Sequence, residues 1–281
     1  MGKLVIPTQI YWELIILNNN CTDATDEVIA KHQAHLPIRR LFEPQQGKTF
    51  ALNCACQAAK GNYIIWTDDD VLVEPDWIAH YAEAFEQWPK ASLFGGPVKP
   101  FLAGAPPSWL LDVLSVTQVG NVYAAIDLGK KPIRLNMGKE PYGVNWAVRL
   151  EDQRKHLYDS ELGPGPDTKI YYEETNVIQR MFADGLEGRW VPKALVTHYI
   201  PESRQTTKYI RRYHQGQGEY KALQRYGRYS YPSQKEKIIL VKSIIKSELK
   251  YRIYRLIHKK SEHWIKALID SSQAWGKLNR K

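Results

Sequence analysis

The chain predicts an α/β fold, with a mostly parallel central sheet flanked by helices and an amphipathic helical tail at the C-terminal end. Three observations predict it. Short apolar, β-branched runs alternate with helical segments through the early part of the chain, the pattern of strands joined by crossover helices. One such run, Asn62–Trp66, leads into three consecutive acids, Asp68, Asp69 and Asp70, and in open α/β sheets ligands bind at the carboxyl ends of strands. From Lys235 onward the character changes, with apolar residues at helical spacing set among lysines.

The elements follow in order. Trp12–Leu17 reads as a buried strand that runs into the polar turn Asn18-Asn19-Asn20-Cys21-Thr22-Asp23, with a helix through Val28-Ile29-Ala30. A short strand begins at Leu36-Pro37-Ile38-Arg39, and a loop at Glu43–Thr49 precedes an Ala-rich helix, Phe50–Lys60. Gly47-Lys48-Thr49 invites a phosphate-loop reading, but the glycine that motif needs five residues earlier is Phe42, so it fails. After the acid-tipped strand a helix starts at Glu74-Pro75-Asp76-Trp77, with proline in the favoured first turn. Ala91–Val98 is a strand, 100–140 an insertion over the ligand edge, and Tyr142–Val148 a strand whose glycine permits close approach of a ligand. Leu162–Asp167 is a loop, Tyr172–Asn176 opens a helix, and Ala194–Thr197 is a strand closed by His198.

Composition narrows the class. With 281 residues and 43% apolar content, including nine Trp and seventeen Tyr, the chain has ample core and is not disordered. Three cysteines make no disulfide framework, Cys54-Ala55-Cys56 has no partners at zinc spacing, and a reducing cytoplasm is the expected setting. No apolar run approaches the roughly 18 residues of a spanning helix, and Met1 opens no signal peptide. The net charge of +9 sits entirely in the stretch from Lys235, where thirteen basic residues face four acids, so the body is neutral. Charge alone would admit a nucleic-acid partner, but no recognition motif accompanies it, and none is expected.

Three acids at a strand end are costly unless something cationic neutralises them. Mg²⁺ and Mn²⁺ take carboxylate and phosphate oxygens together, so Asp68 and Asp70 suggest a metal–diphosphate site, with a solvated acidic turn as the plain alternative. The order of motifs then carries a resemblance: Asn-Asn-Asn-Cys-Thr-Asp, Gln46-Gly47-Lys48, Asp68-Asp69-Asp70, Tyr142-Gly143-x-Asn145, Glu173-Glu174-Thr175 and His198-x5-Arg204. Over about Trp12 to Tyr213 the chain resembles the family 2 glycosyltransferases. These are inverting, metal-dependent enzymes of Rossmann-like GT-A fold that use nucleotide sugars.

The resemblance implies roles residue by residue. Asp70 would hold Mn²⁺ or Mg²⁺, Asp68 the ribose or the metal, and Asp69 could share either task. Of Glu173 and Glu174, both also good partners for a helix dipole, Glu174 is the expected base and Glu173 the runner-up. Asn18, with Asn20 beside it, stands where relatives carry an acid toward the nucleotide base, and Asn can still accept a hydrogen bond. Thr22 and Asp23 serve equally well as helix caps. Lys48 would meet the donor, His198 the metal or diphosphate, and Arg204 the diphosphate. Asn176 departs from the acid expected in many relatives.

A further departure lies at the start, where relatives place a strand and a helix before the strand matching Trp12–Leu17. Residues 1–11 are expected to be the end of that helix and its loop, with the first strand absent; a misplaced start, an inactive fragment and a strand supplied by a partner all remain open. In the tail, Ile238, Val241, Ile245, Leu249, Ile253 and Leu256 form one helical stripe among lysines, and a second segment adds Trp264 and Trp275. That pattern reads as an interfacial helix on an anionic membrane, against the alternative that the stripe packs on the body. The expected organisation is a glycosyltransferase domain over 1–230 and the basic tail over 231–281. The enzyme would work at the cytoplasmic membrane face on a saccharide or lipid-linked acceptor in surface polysaccharide assembly. A catalytically dead module that binds membrane or a partner enzyme is the alternative.

Overall fold

The computed structural model describes residues 3–165 and 171–280. Its elements in order are β1 (Leu14–Asn18), α1 (Thr25–His32), β2 (Ile38–Phe42), α2 (Lys48–Ala58), β3 (Tyr63–Trp66), β4 (Val71–Val73), α3 (Trp77–Gln87), β5 (Leu93–Gly95) and β6 (Val98–Leu102). There follow α4 (Ser108–Val113), α5 (Thr117–Gly120), β7 (Arg134–Leu135), β8 (Trp146–Arg149), α6 (Leu150–Lys155), α7 (Glu173–Ala183), β9 (Gly188–Trp190), β10 (Val196–Ile200), α8 (Thr207–Tyr226), α9 (Gln234–Leu256) and α10 (Ser261–Leu278). They divide into two compact units. The first holds the described residues up to Pro100, those from Ala124 to 165, and Glu173–Tyr199; the second holds Phe101–Tyr123, Tyr171–Tyr172 and the chain from Ile200.

The first unit is an α/β sandwich. Its five-stranded sheet has the order β3-β8-β5-β9-β7, and β1 and β2 pair in parallel as a two-stranded sheet beside α1 and α2. The sheet is mixed: β5 and β9 are parallel, whereas β8 runs against both β3 and β5, and β7 against β9. The expected parallel sense therefore holds for β3, β5 and β9, with β8 inserted between two of them in the opposite direction. Residue alternation sends neighbouring side chains to opposite faces of this sheet. Phe94 and Ala147 join a core with Trp77, Ile78, Tyr81 and Ala84 of α3. Leu93, Trp146 and Val148 join another with Cys56 of α2 and Val177, Ile178 and Met181 of α7. Each large apolar side chain buried this way contributes about 1.5–3 kcal/mol.

Several boundaries differ from the sequence reading for local reasons. The strand expected over 91–98 breaks at Gly96-Pro97, since proline has no N–H for a ladder, and β6 begins afterwards. Val71–Val73, between the acids and the helix start, lies in no element expected from the sequence and pairs antiparallel with β10. Residues 4–13 are not helical: Leu4, Ile6 and Trp12 pack against the core around α3, and the Val5 N–H donates to Pro75 O at 2.9 Å. Among the described residues no strand precedes β1. The expected loop over 162–167 extends past the described residues at its far end.

The second unit is helical. Leu110, Val113, Val122, Tyr123 and Ile210 share a core with Trp264, Ile265, Leu268 and Ile269 of α10. The expected boundary near 230 thus falls inside this unit, and Trp264, read as interfacial, is a core residue at 6% exposure. No helix among the described residues is long and apolar enough to cross a membrane.

Candidate active site

Loop lacing comes first, because it sets Lys48. The Asn19 amide donates to Glu43 O at 3.1 Å and Gln45 O at 2.7 Å, while its Oδ1 accepts from the Gly47 N–H at 2.8 Å. Asn20, at φ 58, donates to Pro44 O at 3.3 Å. The triplet after β1 therefore fastens the loop before α2, and the Lys48 N–H is held by Pro164 O at 3.0 Å. Gly163 completes this corner with φ +83. A Cβ there would meet Thr49 and Glu173, so glycine answers both strain and space.

So placed, the Lys48 ammonium lies 3.3 Å from Asp68 Oδ1 and 3.4 Å from Glu173 Oε1. Burial works against its charge, but the carboxylates of Asp68, Glu173 and Glu174 outweigh that and hold the ammonium above the usual lysine range. Glu173 is 3% exposed, and this pairing is what makes a buried carboxylate tolerable there. Both glutamates occupy the first turn of α7, where the helix dipole favours negative charge.

Glu174 is in a different state. Burial, and then the negative charge of Glu173, push its carboxyl up to about 7, against the opposing pull of Lys48 and the Gly143 N–H. That N–H donates to Glu174 Oε1 at 3.3 Å, and a side chain at Gly143 would press on the same carboxyl group, with a Cβ 3.3 Å from its carbon. The result is two adjacent carboxyls with divided roles: Glu173 locked to lysine, Glu174 poised to exchange a proton near neutral pH.

Asp70 lies between β3 and β4. The pairing of β4 with β10 brings His198 to it, with Nε2 3.5 Å from Asp70 Oδ1, and the Tyr199 N–H donates to Asp70 O at 2.8 Å. Among the described residues no three His, Cys, Asp or Glu side chains converge as a ready-made metal cage. A Mg²⁺-type ion is commonly held by one or two carboxylates with substrate phosphates supplying the rest, and the oxygen of Asp70 beside the imidazole of His198 fits that kind of partial site. Asp68 is engaged by Lys48 instead.

The other expected site residues also make contacts within their own segments. Asn18, 4% exposed, donates to Asp26 Oδ1 at 2.9 Å and accepts from the Cys21 N–H at 2.8 Å, so both ends of its amide serve the turn. Asp23 caps its own turn through the Thr25 N–H at 3.1 Å. Arg204 ends a 3-10 turn of the second unit, where its carbonyl accepts from the Tyr123 hydroxyl at 3.2 Å. Sequence reasoning missed the weight of Asn145. Fully buried, it accepts from Trp77 Nε1 and the Tyr81 hydroxyl, both at 2.9 Å, and donates to Pro97 O at 2.9 Å and Ala194 O at 2.7 Å. It locks the turn that carries Gly143, just ahead of β8; the available signal was an amide within the apolar run read as a strand over 142–148.

Comparison with known proteins now bears on these features. Residues 6–139 match the sequence model described as Glycosyl transferase family 2. The succinoglycan biosynthesis protein ExoM of Rhizobium meliloti (strain 1021) is 21% identical over 222 residues, covering 77% of this chain and 67% of that protein. Among solved structures, the mannosyltransferase PcManGT from Pyrobaculum calidifontis, in complex with GDP-Man and Mn²⁺, aligns with a TM-score of 0.56 at 16% identity over 95% of this chain and 77% of its own. A structure of S. aureus TarS in complex with UDP-GlcNAc aligns at 0.52 and 13% identity, over 97% of this chain and 75% of its own. Residues 6–139 thus carry the likeness to glycosyltransferase family 2, and the chain shares the GT-A fold of solved glycosyltransferases.

Proposed function

We propose that this enzyme transfers a sugar, with inversion, from a nucleoside-diphosphate sugar to a saccharide or lipid-linked acceptor in cell-surface polysaccharide assembly, working at the cytoplasmic face of the membrane. The observation that carries the proposal is the division of labour between Glu173 and Glu174, which leaves one carboxyl tuned to about 7 at the head of α7. In the proposed reaction Glu174 takes the proton of an acceptor hydroxyl. The hydroxyl oxygen forms its bond to the anomeric carbon from one side as the bond to the diphosphate breaks on the other, so configuration inverts. Asp70 and His198 would hold Mn²⁺ or Mg²⁺ against the diphosphate, and that ion would neutralise charge on the leaving group. Lys48 and Asp68 would then border the donor.

The names of similar proteins support the substrate class: ExoM is named for succinoglycan biosynthesis, and PcManGT and TarS were solved with nucleotide sugars. The test is calorimetry of UDP binding with and without Mn²⁺ on this chain and on Asp70→Ala. Binding that needs the ion and disappears in Asp70→Ala is expected. A folded wild-type chain that binds no UDP in the presence of Mn²⁺ would overturn the proposal in favour of a catalytically dead module.

A further inference from the structure

We infer that the outward face of α9 is a docking surface for an anionic lipid bilayer, with the helix lying flat on it. The inference deepens the proposed membrane setting and rests on it. The helix has two unlike sides. On the inner side Tyr251 and Tyr254 pack into the core of the second unit, and α10 lies alongside. On the other side Ile238, Ile245, Leu249 and Leu256 are 56%, 63%, 57% and 79% exposed. Steps of three, four and seven residues put these, with Val241, on one stripe along nearly the whole helix. Helices of soluble proteins seldom leave such a stripe in water.

Charge decides the occupant. Lys235, Lys242, Lys246 and Lys250 are exposed along the stripe. The two acids of α9 are held elsewhere: Glu236 caps the helix with Ser233 and pairs with Arg225 at 3.0 Å, and Glu248 binds Arg211 at 3.1 Å with Ser271 beside it. Arg252 shares Glu248, at 3.6 Å. The lysines flanking the stripe therefore keep their positive charge uncompensated by their own helix. A second copy of α9 laid on the same stripe would set lysines against lysines, whereas anionic headgroups beside an acyl layer satisfy both the charge and the apolar residues. The α10 helix spends Trp264, Ile265, Leu268 and Ile269 on the core of the unit, leaving Trp275, at 42% exposure, as its exposed large apolar side chain.

The test is co-sedimentation of the full chain with phosphatidylcholine vesicles, with and without phosphatidylglycerol, at low and high salt. Two variants accompany it: Ile245→Gln with Leu249→Gln, and Lys242→Glu with Lys246→Glu and Lys250→Glu. The wild type should bind the phosphatidylglycerol vesicles and release with salt. The glutamine variant should bind at least about tenfold more weakly, and the charge-reversed variant more weakly by on the order of a hundredfold. Both should keep wild-type helicity and UDP binding. No vesicle binding by the wild type, or binding that both variants retain, overturns the inference. So does a concentration-dependent dimer, without vesicle binding, that the glutamine variant abolishes. Vesicle binding alongside absent UDP binding would sink the transferase proposal and leave this one standing.

Discussion

Glu174 and Glu173 are neighbours of the same residue type, and their surroundings give them opposite properties. Glu174→Gln should lower kcat by about 10²- to 10⁴-fold, as removal of a general base does, while leaving Mn²⁺-dependent UDP binding intact. If Glu174 is the base, it must be deprotonated to work, so kcat/KM should rise with pH through about 7 and level off above it. The same shift has a stability consequence of definite sign. The folded carboxyl holds its proton up to about 7 and the unfolded one only to the ordinary glutamate value of 4.5. Stability from this group is complete below 4.5 and is lost as pH climbs through 7. Thermal melts should therefore show Glu174→Gln stabilised at pH 8 and little changed at pH 4; a loss of stability at pH 8 would contradict this assignment. For Lys48→Met the expectation is a destabilisation of about 1–3 kcal/mol in chemical denaturation, because Glu173 would be left buried beside Asp68 without a cation.

At the scale of elements, two glycines decide how α10 meets α8. A Cβ on Gly218 would sit 2.2 Å from Gln273 O, and one on Gly276 would sit 2.0 Å from Gln215 O, both against backbone that cannot step aside alone. Glycine-to-alanine in an open helix position stabilises by about 0.4–1 kcal/mol. Here the clash reverses the sign, and each substitution should cost about 1–3 kcal/mol in denaturant titrations. Asn145 plays a comparable part in the first unit, tying α3 to the carbonyls of Pro97 and Ala194. The alternation of apolar runs and helices announced α1, β2, α2, β3 and α3, because period and turn chemistry are local properties. It did not announce the antiparallel entry of β8, which follows from the partners available when the sheet assembles, nor β4, three residues that become a strand only by pairing with β10.

For the whole molecule, the tail is where local pattern and tertiary placement part company. Both α9 and α10 read as basic amphipathic helices with apolar residues at helical steps. The structure sends the apolar face of α10 into a core with Leu110, Tyr123 and Ile210, and leaves the stripe of α9 exposed. A chain cut at residue 230 should consequently lose more than a membrane contact. Its second unit should fail to fold, showing up as aggregation or rapid proteolysis of residues beyond Ile200, whereas an intact, soluble product would refute that role for α10. The sequence by itself determined the α/β class, the family resemblance, the acids at Asp68–Asp70, the glutamate pair and the concentration of charge at the C-terminal end, since each is written in residue type and spacing. Only the tertiary structure decided which carboxylate meets Lys48, which is pushed up toward neutrality, that Asp70 faces His198, and which tail helix is core. Those outcomes depend on burial and on distances between residues far apart in the chain, and no local pattern encodes either.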